Sequence, residues 1–400
     1  MQATATRPPA RLFLGALLIL GLLAAVYYQR RSDHLTGSRG SEDRAKEAPA
    51  TATTGGEPRQ LPGGVTVQAG SPEEVPDPSS PALKREGVRL AEERLATFRK
   101  WAQYPPGSRP AREHPDQLYP RAPVVSRIPL SLSGQPSEHI ALKLRQDRLA
   151  VVGDDSIQLG IRCEDSQGQV LPCVAESAQL SALPTDSNPP KGQRPVSFTA
   201  DTTPEHEGEL VATVRPLELQ LVDRPWPLRV EVKLRAGRDP VEQGSALFDF
   251  MFTPEPPAVT TGKIREAVVD GSLVLYYGLQ VKRAGRYVLQ ARLDDSQGKT
   301  FAYLEWNDLL AVGPQEVKLV VFGKLLLDEH PSMPLKLRDF DGFLLKEQAD
   351  PDREHIPPRT GYHYTTQVYP SSAFSAKEWQ SEERTRHERE FERDVDEARK

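Results

Sequence analysis

Cys163 and Cys173 carry the plainest chemistry in this chain, because they are its only cysteines and they end one short run, Cys163-Glu-Asp-Ser-Gln-Gly-Gln-Val-Leu-Pro-Cys173. The Asp-Ser-Gln-Gly stretch reads as a turn between two strands. Across such a hairpin the two thiols can close a disulfide, which requires an oxidising compartment. Two free buried thiols are the alternative. A metal centre needs more ligands than two cysteines supply with no histidine nearby, and a redox pair would favour the Cys-x-x-Cys spacing. The eight histidines are scattered, and the nearest two, His355 and His363, flank a proline-rich loop that fixes no ligand geometry. Asp339-Phe-Asp341-Gly342 places alternate carboxylates as a calcium loop does, but the later ligands of an EF-hand are missing. Asp and Gly are ordinary turn residues, and that reading is preferred here and for Asp154-Asp155 and Asp294-Asp295.

No Gly-x-Ser-x-Gly elbow, Walker loop, Gly-x-Gly-x-x-Gly or His-Glu-x-x-His is present in the sequence. A catalytic carboxylate pair depends on burial and mutual distance, which sequence alone does not give. We therefore assign no catalytic residue, no cofactor and no metal ligand. The candidate interface is aromatic: Tyr362, Tyr364, Tyr369, Phe374 and Trp379 fall in an irregular C-terminal region, and aromatics in such places anchor partners. The competing role for them is to dock that region onto the preceding β module.

The elements that must position these residues are strands. His139-Ile-Ala-Leu-Lys-Leu-Arg, Ser156-Ile-Gln-Leu-Gly-Ile-Arg and Leu228-Arg-Val-Glu-Val-Lys-Leu alternate apolar and polar residues, which gives strands with one face in a core. Gly, Pro, Asn and Asp separate them at short intervals, so 137–254 reads as an antiparallel sandwich of about seven strands. A second β region spans 255–347, with Leu273-Val-Leu-Tyr-Tyr-Gly-Leu, Arg286-Tyr-Val-Leu-Gln-Ala-Arg-Leu and Glu316-Val-Lys-Leu-Val-Val-Phe among its strands. The turn Glu164-Asp-Ser-Gln-Gly-Gln of the first region is echoed by Asp294-Asp-Ser-Gln-Gly-Lys in the second. One shared turn is thin support for two modules of one class.

Outside the β regions the composition changes sharply. Residues 12–28 are uncharged and apolar, long enough at the short end of the range for a membrane-spanning helix. Tyr27 and Tyr28 suit the headgroup level, and Arg30 and Arg31 would stop the helix. A cleaved signal peptide is the competing reading. Its best cleavage point, Ala24-Ala25-Val26, is followed unfavourably by two tyrosines and two arginines. Residues 32–82 are rich in Ser, Thr, Gly, Pro, Glu and Ala and predict a disordered tether. Val88, Ala91, Leu95, Phe98 and Ala102 predict an amphipathic helix, expected to pack on the adjacent domain, with dimerisation as the alternative. The prolines of 104–130 predict an extended strap and argue against helix or central strand there, so 83–136 groups helix and strap. The strap could also serve as a recognition peptide for a proline-binding module. After residue 347 an irregular strap runs to a tail, 376–400, dense in both charge signs, which predicts a solvated helix or a disordered end.

Arginines flank the apolar run almost equally, so the positive-inside rule leaves its orientation near a tie. The disulfide expected at Cys163 and Cys173 favours a cytoplasmic N-terminus with residues 32–400 periplasmic or extracellular. No cysteine follows the run, so the helix itself is the anchor of a single-pass inner (plasma) membrane protein. A net charge of −5 argues against nucleic acid as a partner.

Val151-Val-Gly-Asp-Asp-Ser-Ile-Gln-Leu-Gly-Ile-Arg-Cys-Glu-Asp-Ser-Gln-Gly resembles the first strands of bacterial immunoglobulin-like modules. Ala284-Gly-Arg-Tyr-Val-Leu-Gln-Ala-Arg-Leu, Leu310 to Gly313, Val317-Lys-Leu-Val-Val-Phe and Leu335-Lys-Leu-Arg-Asp-Phe are similar to the C-terminal module of an Ig-like bacterial family of unknown function. The resemblance covers about half the chain and rests on turn and core residues, so it implies fold and not activity. The expected fold class is all-β: two Ig-like antiparallel β-sandwiches behind an N-terminal transmembrane helix, a disordered tether and a short amphipathic helix. The expected function is non-catalytic, a tethered binding or scaffold protein whose partners are the membrane, through residues 12–28, and an envelope protein or surface polymer. An enzyme accessory subunit or hydrolase with a noncontiguous site, and a purely structural spacer, are the alternatives.

Overall fold

The computed structural model describes residues 81–132, 135–203 and 206–400. The expected anchor at 12–28 lies outside them, as does the tether except its last two residues. Among the described residues no helix is long and apolar enough to cross a membrane.

Helix α1 (Pro81–Trp101) opens on a proline, whose missing N–H costs nothing in a first turn, and closes with Arg99 and Lys100 against the negative end of the helix dipole. A strap follows over 104–121 and carries the short strand β1 (Ser108–Pro110). Then come β2 (Val124–Leu132), β3 (Gln135–Gln146), β4 (Ala150–Val152), β5 (Ile157–Glu164), β6 (Cys173–Ala182), β7 (Arg194–Pro195), β8 (Thr199–Ala200), β9 (Leu210–Val214), the short helix α2 (Pro216–Leu219), β10 (Trp226–Ala236) and β11 (Glu242–Thr253). These ten strands make one mainly antiparallel sheet in the order β7-β6-β10-β11-β2-β3-β5-β9-β8, with β4 added parallel to β11.

Strict alternation explains the core of this first β body. Trp226, Leu228, Val230, Val232, Leu234 and Ala236 all point inward from β10. They share one apolar cluster with Leu142, Leu159 and Ile161 from the far half of the same sheet, so the sheet curls until its two halves face each other. Strand β2 departs from the expected proline-rich strap. It pairs with β3 from Val124 to Leu132 but meets β11 only at Ser131↔Ser245. Pro129 is therefore tolerated at a nearly free edge, next to a register shift, where a missing donor breaks no long ladder.

The second β body begins with β12 (Ala258–Val269), β13 (Ser272–Val281), β14 (Gly285–Asp294), β15 (Thr300–Leu310) and β16 (Gly313–Val321). It continues through α3 (Gly323–Glu329), β17 (Lys336–Leu345), β18 (Arg353–His355) and β19 (Arg359–Thr365). β12-β13-β16 form one sheet, and β1-β15-β14-β17-β18, with β19 also on β17, form another. Leu275, Tyr277, Leu279 and Leu319 from the first share a core with Leu289, Ala291, Leu293 and Phe340 from the second. Tyr277 and Phe340 stack with ring centroids 4.0 Å apart. The strap strand β1 belongs to this body although it precedes the other in sequence.

The charged tail folds as α4 (Glu382–Arg399), with the Ser381 hydroxyl accepting from Arg384 N at 3.0 Å as its N-cap. It runs antiparallel to α1. Phe98 and Phe391 meet at 5.1 Å, Arg99 reaches Glu388 and Glu392, and Arg399 reaches Glu92. The amphipathic helix thus finds its partner at the other end of the chain rather than on a β domain.

Candidate functional site

Cys163 is buried near the end of β5 and Cys173 opens β6, and the structure joins them in a disulfide with Cα atoms 5.7 Å apart. β5 and β6 are not paired in the sheet; the intervening turn folds back on itself, with Leu171 N donating to Cys163 O at 2.8 Å. Exchanging both cysteines for serine removes a short covalent loop and is expected to cost about 2–3 kcal/mol of unfolding free energy. Urea denaturation of the oxidised protein against the double variant measures it, and equal midpoints would mean that the bridge does not constrain the unfolded chain.

The two Asp-Ser-Gln-Gly turns have the same hydrogen bonds. Asp165 Oδ1 accepts from Gln167 N and Gln169 N at 2.8 and 2.9 Å; Asp295 Oδ1 accepts from Gln297 N and Lys299 N, both at 2.9 Å. Gly168 and Gly298 take the left-handed conformation at φ 81° and 85°, which L residues resist. The acid before each aspartate is buried on arginine: Glu164 meets Arg127 and Arg162, and Asp294 meets Arg338. These carboxylates hold turns and strand ends.

A buried charged assembly lies on the face of β14 and β17 away from the core. Arg292 is wholly buried, although Ala291 and Leu293 beside it face the core. It donates to Gln117 O at 2.7 Å and Asp339 O at 2.9 Å and pairs with Asp341. Arg338 holds both oxygens of Asp294 at 3.0 and 2.9 Å, donates to Leu118 O at 3.0 Å and Thr300 Oγ1 at 2.8 Å, and pairs with Asp339. Tyr362 closes the group, its hydroxyl donating to Asp294 Oδ2 at 2.7 Å. The Asp339 and Asp341 carboxylates of the calcium-like motif therefore face guanidinium groups. Asp155 likewise meets Arg148 at 2.8 Å.

The remaining sequence candidates separate. The His355 ring stands edge-on to Phe343 and the His363 ring edge-on to Tyr277, and burial pushes both imidazoles down, His355 to about 4. Tyr364, Tyr369 and Phe374 are half-buried against the second core, and the Tyr369 hydroxyl donates to Glu266 Oε1 at 3.0 Å. Trp379 is half-buried, its backbone N–H donating to Gln103 O at 3.0 Å. Tyr362 keeps 54% of its surface exposed. This is the packing of a strap docked on its own module, with Tyr362 left as the accessible aromatic of the five.

Two further features were not singled out in the sequence. Asp201, His206 and Glu209 bring ligand atoms within 4.8 Å of one another, but Glu209 is already engaged in a two-point pair with Arg145. A cleft of about 430 Å³ separates Arg224 and Trp226 of the first body from Arg283, Lys346 and Glu354 of the second. In it the buried Glu354 is shared by Arg283 at 2.7 Å and Lys346 at 2.8 Å.

No family model matches the chain, and no curated protein matches it. Among solved structures it is weakly similar to a DUF4785 family protein from Legionella pneumophila, at 14% identity and TM-score 0.37 over 57% of this chain and 56% of that one. The chain thus spans little more than half the length of that protein. A DUF3823 family protein from Bacteroides ovatus aligns at 10% identity and TM-score 0.17, over 48% of this chain and 94% of that one. A tandem-repeat extending region of a large adhesion protein aligns at 13% identity and TM-score 0.16, over 61% and 67%.

Proposed function

We propose that this is a membrane-anchored, extracytoplasmic binding or scaffold protein of the bacterial envelope, with two Ig-like β-sandwich modules held off the membrane by a tether. The observation that carries the reading is the engagement of the chain's candidate reactive groups. Asp294, Asp339 and Asp341 sit on arginines, Asp165 and Asp295 lock turns, and His355 and His363 are half-buried rings whose partial burial lowers their basicity. Such groups stabilise surfaces; they are not poised to exchange protons with a substrate. The anchor at residues 12–28 and the orientation are supported by the apolar run and its flanking arginines, and the oxidising compartment by the bridged Cys163 and Cys173. The partner is an envelope protein or surface polymer, met by exposed loops and strand edges, with Tyr362 as one contact.

Crosslinking intact cells with a membrane-impermeant amine reagent tests this. The expected result is modification of lysines beyond residue 80 and recovery of a reproducible partner. Modification only after lysis would reverse the topology and remove the compartment argument with it.

A further inference from the structure

The strap over 104–121 has more buried links to the second β body than a passive connection needs. The buried Tyr104 gives its hydroxyl to Asp328 Oδ2 at 2.7 Å. Gly107 O accepts from Glu305 N at 3.1 Å, at an approach so close that a Cβ on Gly107 would lie 2.5 Å from Glu305 O. The Ser108 hydroxyl accepts from Phe322 N at 2.9 Å, and β1 then extends the sheet antiparallel to β15. The Arg109 guanidinium lies 3.7 Å over the Trp101 ring and is buried, and His114 stacks on Tyr303 at 4.8 Å. The strap ends by capping Arg292 and Arg338 with two of its own carbonyls, Gln117 O and Leu118 O.

We infer that residues 104–121 form a latch that completes the second β body and makes it, rather than the first body, the receiver of any displacement of α1. Chain order supplies the reason. The strap is reached directly from α1, contacts the later body, and only then enters β2 of the earlier one. Ahead of it, α1 is held to α4 by ion pairs that are largely solvent-exposed, by the contacts of Phe98 with Phe391 and His387, and by a small apolar seam that includes Ala91 and Val395, and exposed pairs contribute little. A pull on α1 therefore reaches the strap before it reaches either core. Opening the latch frees the edge of β15 and takes the Gln117 and Leu118 carbonyls from Arg292 and Arg338 together, so the segment opens as a unit.

Hydrogen exchange on the full chain, wild type against the conservative double variant Tyr104→Phe/Ser108→Ala, tests this without touching the arginines. Two lost hydrogen bonds are expected to speed exchange about 10- to 30-fold. The increase should be shared by peptides across 104–121 and by the Glu305 and Phe322 amides, while β13 and β14 amides stay unchanged. Each single variant is expected to move the same set by a smaller factor. Faster exchange confined to residues 104–108 would overturn the latch, because the strap would then be a row of independent contacts. An equal rise in β13 would overturn it too, because the strap would be inseparable from the global fold. Neither readout depends on the chain being membrane-anchored.

Discussion

Replacing Arg338 with methionine is expected to lower the unfolding free energy by about 3–5 kcal/mol, the usual cost of stranding one member of a buried ion pair. Asp294 is 2% exposed and receives Arg338 Nε on both oxygens. Without the guanidinium, that carboxylate keeps only the Tyr362 hydroxyl from this group, and Leu118 O and Thr300 Oγ1 lose their donor. Methionine keeps much of the volume, so the loss measures charge and hydrogen bonding rather than a cavity. Adding Asp294→Asn removes the stranded charge, and the double variant is expected to recover about 2 kcal/mol relative to Arg338→Met alone. Urea denaturation of the wild type, both single variants and the double variant closes the cycle. A single-variant loss under about 1 kcal/mol, or a double variant no better than the single, would show that the Arg338–Asp294 pair contributes no more than an exposed one.

That network also marks where the sequence stops being readable. The strands were legible because burial on one face alone writes period two into residues such as those of β10. Arg292 and Arg338 sit on the opposite face of their sheet, where a charged residue normally signals water. Only the strap, from a segment about 170–220 residues earlier in the chain, turns that face into an interior. No local pattern encodes such a cover. The same limit explains α1 and α4: the first reads as an amphipathic helix and the second as a solvated helix or a disordered end, and neither carries a mark that names the other as its partner. In β2, the general exclusion of proline from central strands gave the wrong expectation, because β11 diverges and leaves Pro129 almost at an edge. The Asp-Ser-Gln-Gly turns lie at the other extreme. Their hydrogen bonds are local, involve residues within four positions, and were readable as turns from composition alone.

Acid is expected to destabilise the folded chain through His355. Burial first, and then the neighbouring Arg353 charge, push this imidazole down to about 4. In the unfolded chain it titrates near 6.5, so between about 6.5 and 4 the unfolded state takes up a proton that the folded state refuses. The contribution is therefore whole above about pH 6.5 and declines as pH falls, by about 3 kcal/mol in all and about 2 kcal/mol by pH 5. Burial lowers His114 and His363 in the same direction, so they add to the slope and do not oppose it. The location gives this proton a structural consequence. The His355 ring rests edge-on to Phe343, 5.8 Å away, while its backbone N–H donates to Thr253 Oγ1 of the first β body at 3.2 Å. Charging the ring places a cation where the two bodies meet. Urea midpoints at pH 7.5 and pH 5 for the wild type and His355→Gln measure the effect, and the variant is expected to lose most of the difference between them. A wild-type midpoint that does not move over this interval would mean that the ring reaches solvent and that the junction tolerates its charge.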